Sequence, residues 1–226
     1  MRGWLLAPLV VLAAGTAATL PAAAAARSTC QRLKGADLAP ARTVKLVRRP
    51  NADAGSDLRG CVLPRGRVRT IASSSDQFTT TYGYAIRQVA GRIVAVDSTY
   101  SSQYAYSNAT RVWDLLSGRS YPVAYVCSEI GGGDCGGTTT APALFVTKLG
   151  RAVAAIGAGP DRLPAPGAEP APSSVTIATF DPAGVRRDLD SGPLAQLAPA
   201  SLALAGTTAY WTHGGRPRSA DISRAG

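Results

Sequence analysis

The chain of 226 residues has one histidine, His213, in the stretch YWTHGG. Any imidazole chemistry must pass through it. A hydrolase of the triad kind would set it against a serine or cysteine and orient it with a carboxylate; beside a strand end and two glycines it reads first as a turn residue. A zinc site lacks ligands, since one histidine and disulfide-committed cysteines supply too few. Gly131 to Gly136 matches G-x-G-x-x-G in form. The next residues, GTTTAPALFV, read as a loop leading to a strand, without the helix N-terminus that would meet a phosphate. Asp188-Leu189-Asp190 stands in no loop with the closely spaced oxygens that calcium needs. No cofactor or metal is expected.

The residues better suited to binding are aromatic and basic. Tyr100, Tyr104 and Tyr106 stand among Ser, Gln and Asn in STYSSQYAYSNATR, and tyrosine with small polar neighbours gives flat contact area at low entropy cost, as in protein and glycan recognition. The other reading is a strand-connecting loop whose tyrosines cover a core edge. Residues 27–70 hold 11 basic and 3 acidic side chains, a net charge of +8, whereas residues 71–226 hold 12 and 11, net +1. Arg48 and Arg49 in that first segment are candidate contacts for an anionic polymer. Solvated arginines on half-exposed strands are the plainer explanation. Basic and aromatic residues do not interleave into a nucleic-acid channel.

Residues 1–26 have the parts of a secretory signal: Arg2, an apolar run from Leu5 to Leu20, and Ala24-Ala25-Ala26 as a small-residue cleavage site. The run is too short and interrupted for a membrane anchor, and no later segment would span a bilayer. The exported domain is then residues 27–226, in an oxidising compartment where four cysteines favour two disulfides. Three pairings are possible; the short loop between Cys127 and Cys135 favours joining those two, which leaves Cys30 for Cys61.

The elements that must position these residues are strands. Thr43 to Arg49 alternates apolar and basic side chains. Leu58 to Leu63 and Val68 to Ala72 flank the turn Pro64-Arg65-Gly66-Arg67, where glycine can take a positive φ. Arg111 to Ala124, RVWDLLSGRSYPVA, is a related hairpin around Ser117-Gly118. GRIVA at 91–95 returns as GRAVA at 150–154 and more loosely as GTTAYW from Gly206. Two hairpin types alternate, with turn glycines at 66, 91, 118, 150, 184 and 206. Self-similarity of this kind, with two hairpins per interval, corresponds to four-stranded antiparallel sheets stacked as in a propeller. The count gives four sheets, the two terminal ones a strand short; a closed ring and an open arc both fit, and an arc would leave edges for a homodimer. Helical turns are expected only at Gln31 to Leu38 and at Leu194 to Ala198, before Pro199. Trp113 and Trp211 read as core.

VWDLLSGR resembles the outer hairpin of propeller repeats, including the Trp-Asp pair of tryptophan-aspartate repeat proteins. The layout of the whole exported part is similar to that of secreted bacterial β-propeller-like repeat proteins, with degenerate motifs. The resemblance implies a fold type, and folds of this type host binding proteins and enzymes alike. The expected function is a secreted, non-enzymatic binding module for an extracellular protein, glycan or anionic polymer. The alternative is an extracellular hydrolase or lyase using acidic residues such as Asp97 or Asp114.

Overall fold

The computed structural model describes residues 30–38, 42–77, 80–103, 105–129, 139–158 and 173–223. The expected secretory signal, Tyr104, Cys135, the glycine-rich stretch at 131–136 and the proline-rich stretch at 160–172 lie outside the described residues. Among the described residues the regular elements are strands, with a single 3₁₀ turn at Pro199–Ser201. In chain order they are β1 (Ala36–Asp37), β2 (Val44–Pro50), β3 (Ser56–Val62), β4 (Arg69–Gln77), β5 (Thr80–Ala90), β6 (Ile93–Ser102), β7 (Ala105–Asp114) and β8 (Ser120–Glu129). Next come β9 (Thr139–Val146), β10 (Ala152–Ala158), β11 (Ser174–Phe180), β12 (Arg186–Pro193), β13 (Ala203–Ala205), β14 (Thr208–His213) and β15 (Arg216–Asp221). All pairings are antiparallel. The chain is all-β, in sheets of eight (β1 to β8), four (β9 to β12) and three strands (β13 to β15).

Two details differ from the expected four sheets. The first set of strands is not one short, because Ala36–Asp37 adds β1 to the edge of β2. It is also not separate. β4 runs on past Ala72 to Gln77, and its last residues pair with the start of β5, Ser75 opposite Tyr82. Polar Ser73, Ser74 and Ser75 hide this continuation from an apolar-periodicity reading. The last sheet has three strands, as counted.

Packing then stacks the strand sets face to face. The eight-stranded sheet folds over so that Val44, Leu46, Leu58 and Ile71 of β2 to β4 meet Val94 and Val96 of β6, with Leu115 between them. The other face of the β5 to β8 set gives Ile93, Ala95, Val112 and Tyr121 to a core shared with Leu144, Ala154 and Phe180 of the next sheet. That sheet's far face brings Val153, Val175 and Ile177 against Leu202, Ala209 and Trp211. Strand β10, AVAAIGA, is therefore covered on both faces from Ala152 to Gly157. Its alanines leave room for sheets on either side, and full burial replaces the alternation of a one-sided strand. Leu46, Leu58, Ile93 and Ile177 are wholly buried, each worth about 1.5–3 kcal/mol in apolar surface removed from water.

Strand β2, expected to expose one face, covers part of both. Val47 is buried as fully as Leu46, because Cys30 and Leu33 of the N-terminal tail pack over it together with Cys61. The Cys30–Cys61 disulfide pins that tail. Cys127 is also disulfide-bonded. Gln31 to Leu38, read as helical, is a turn followed by β1. Leu194 to Gln196 forms a turn closed by Leu197 N–H on Pro193 O at 3.0 Å, and Pro199 opens the 3₁₀ turn rather than stopping a helix. Proline suits such a first position, where its missing N–H has no partner to lose.

Four of the six repeating glycines, Gly91, Gly118, Gly150 and Gly184, mark points where neighbouring strand sets touch. Gly118 has φ +75°, and an added Cβ would strike the Arg69 guanidinium. Arg69 uses that space to donate to Leu115 O at 3.1 Å and Leu116 O at 3.2 Å, which ties β4 to the hairpin turn after β7. Gly184, φ +85°, lies against Tyr121, whose Cβ would be 2.6 Å from an added methyl. Gly66 does not take the expected positive φ; its requirement is closeness to the Val62 backbone.

Candidate binding surface

Tyr100 stands on β6 and pairs in register with Tyr82 on β5. It is a strand residue, not the loop residue expected. The two rings lie 4.9 Å apart between centroids, tilted by 49°, and Tyr82 is 43% exposed. Two residues along the same face of β5, Tyr84 packs at the margin of the core that joins β2–β4 to β6. Its hydroxyl is 3.0 Å from Ser56 Oγ. Ser56 is itself fixed by Ser74, whose Oγ accepts the Ser56 N–H at 2.9 Å. The Arg48 guanidinium sits 5.7 Å from the centre of the Tyr84 ring.

The Arg48–Tyr84 pair and the Tyr82–Tyr100 pair lie on one face, two residues apart along β5. Strand alternation explains why this surface assembles: Val44, Leu46 and Arg48 share the inner face of β2, and Val96, Ser98 and Tyr100 share that of β6. The surface is the outer end of the core between them. An aromatic pair adds about 0.5–1.5 kcal/mol beyond area, and an exposed cation over a ring about 0.5–1 kcal/mol, so the side chains hold one another in place.

The same alternation separates other candidates. Tyr106 pairs with Ser101 on β6 and Ser128 on β8, which puts it on the face opposite to Tyr100. Arg49 is on the outer face of β2, across from Asp57, and does not join Arg48. Asp57 instead accepts from Arg59 at 2.8 Å, Ser73 at 3.0 Å and Asn51 at 3.3 Å. The Arg59 hydrogen bond, against the opposing effect of burial, holds its carboxyl below the usual range. Sequence reasoning misses Tyr82 and Tyr84. The available signal is their spacing of two in TTYGYAIR, which on a strand means one face.

His213 ends β14 and is not a turn residue. Its Nδ1 is 3.0 Å from both oxygens of Asp190 on β12, and Trp211 Nε1 donates to the same carboxylate at 2.7 Å. Burial raises the Asp190 carboxyl, but the hydrogen bonds from Trp211 and His213 outweigh it and keep the group below its ordinary value. The ring is oriented as a catalytic histidine's would be. Among the described residues no hydroxyl or thiol is hydrogen-bonded to the imidazole, and its Nε2 lies against Gly192. The trio latches the four-stranded sheet to the last one.

The acidic residues of the hydrolase alternative are engaged apart from each other. Asp97 accepts from Arg87 at 3.0 Å and from Thr110 Oγ1 at 2.7 Å, while Arg87 reaches across to Ala141 O at 2.8 Å. Asp114, at the end of β7, is 3.1 Å from Arg92 Nε. Trp211 is buried and Trp113 half-buried against the core between β2–β4 and β6. Among the described residues no cluster of three His, Cys, Asp or Glu could hold a metal, and no helix is long and apolar enough to cross a membrane.

No family model matches the chain, and no curated protein matches it.

Proposed function

We propose that the chain is an exported, propeller-like binding module that takes an extracellular polymer on the Arg48–Tyr84–Tyr82–Tyr100 surface. The observation carrying this reading is the pair of rings 4.9 Å apart with a guanidinium over the third ring beside them. Tyrosine faces stack on the apolar faces of sugar rings, and the arginine adds a forked donor for a carboxylate or sulfate. The ligand class is therefore an acidic glycan. Propeller-like stacking is supported by consecutive strand sets sharing cores on both faces and by the alternating hairpins. Export is supported by the signal-like residues 1–26 and by disulfide bonding.

The test is a binding screen of residues 27–226 against acidic and neutral polysaccharides at low and high salt. Acidic glycans should bind, with a salt-dependent part from Arg48 and a salt-resistant part from the tyrosines. Binding that Arg48→Ala and Tyr82→Ala leave unchanged would refute the assignment.

A further inference from the structure

A second concave site lies at the opposite end of the β5 to β8 set, where the tight turns cluster. It is a cleft of about 400 Å³, within the lower part of the range of small-molecule pockets. One wall carries Arg92, Asp114, Ser117 and Arg119, and the facing wall carries Leu149 and Pro182 from the turns of the next sheet. The floor, at Tyr121, makes no polar demand on a ligand, because the Tyr121 hydroxyl already donates to Gly150 O at 2.8 Å.

The charges in this cleft do not cancel. Two guanidinium groups face one carboxylate, and Asp114 Oδ1 also accepts the Leu116 N–H at 2.9 Å. Arg92 Nε lies 3.1 Å from that oxygen yet makes no hydrogen bond with it, and it is buried without another partner. Arg119 is exposed and makes no ion pair among the described residues. Ser117 Oγ accepts the Arg119 N–H at 3.2 Å and keeps its own proton to donate. Opposite these donors Leu149 is 68% exposed, a largely open apolar surface. Donors and positive charge on one wall, with an apolar wall opposite, match an anion that has an apolar body.

We infer that this cleft binds a small organic anion: a carboxylate, sulfate or phosphate on a compact apolar group. Arg119 and Ser117 take the anionic end, and Leu149 and Pro182 pack on the body. The site is independent of the tyrosine surface and too small for a polymer.

The test uses calorimetric and NMR titrations of residues 27–226 with benzoate, acetate, benzamide, phenyl phosphate and inorganic sulfate. Benzoate or phenyl phosphate should bind saturably and at least about tenfold more tightly than acetate or benzamide. Whichever of the two is tighter names the anionic group. Arg119→Ala should weaken binding by about tenfold or more and Leu149→Ser by several-fold, while Tyr100→Ala changes nothing here. Both substituted side chains are exposed, so melting temperatures should stay put and report intact folding. Inorganic sulfate binding as well as the aromatic anions would mean an adventitious ion only. That result, equal binding of benzamide, or wild-type affinity in Arg119→Ala overturns the inference.

Discussion

Replacing Cys30 and Cys61 together by alanine removes the bridge that holds the N-terminal tail against β2 and β3. Alanine is the right choice, because both positions are fully buried and serine would leave a hydroxyl without water. The bridge closes a loop between cysteines 31 residues apart, for which the chain-entropy relation gives about 3.7 kcal/mol. At roughly 2–4 °C per kcal/mol for a domain of this size, the melting temperature should fall by about 7–15 °C. Circular dichroism melts of wild type and double variant measure this without disturbing the bond at Cys127. A second comparison isolates the tail. Leu33 is buried on Val47 through the tail, so Leu33→Ala should cost about 2–3 kcal/mol in the bridged protein. In the alanine pair, where the tail is released, it should cost less than about 0.5 kcal/mol. A melting temperature within about 2 °C of wild type, or a full Leu33→Ala cost without the bridge, would refute the role given to the tail.

Single contacts set three further expected outcomes. Gly206 and Gly184 both have positive φ, +61° and +85°, but nothing lies within 4 Å of a Cβ at Gly206. Gly206→Ala should cost only the left-handed conformation, about 1–2 kcal/mol, and Gly184→Ala clearly more in a urea titration, because the Tyr121 Cβ cannot step aside. Leu46→Ala, in the wholly buried core between β2 and β6, should lower stability by about 2–5 kcal/mol. Asp190 is held below its ordinary value of 3.8 in the folded state; its contribution is complete above that pH and is lost as pH falls through the folded value. Urea midpoints measured from pH 5 downward should therefore drop less steeply in Asp190→Asn than in wild type.

Much of the strand order is legible in the sequence because turns and alternation are local. The hairpins around Gly91, Gly118, Gly150, Gly184 and Gly206 stand where the repeats put them, and five of the six repeat glycines take positive φ. The joining of β4 to β5 is not legible, since the paired residues, Ser75, Asp76 and Gln77 against Tyr82, Thr81 and Thr80, carry no apolar stripe. The tail over Val47 escapes for a different reason: a face covered by a distant segment looks, in sequence, like any strand face. For the proposed binding surface, Tyr100 and Arg48 stand out by residue type, but grouping by sequence proximity puts them with Tyr106 and Arg49. Strand alternation reverses both groupings, and it brings in Tyr82 and Tyr84. The Asp190–His213 contact joins residues 23 apart on different sheets, which no local pattern encodes.

The most direct test of the account compares two tyrosines six residues apart in sequence but on opposite faces of their hairpin. Binding of an acidic polysaccharide to Tyr100→Ala and to Tyr106→Ala should be measured side by side. Tyr100→Ala should lose about 5- to 150-fold, the worth of one aromatic contact of about 1–3 kcal/mol, and Tyr106→Ala should keep wild-type affinity. Equal losses in both, or a loss confined to Tyr106→Ala, would contradict it.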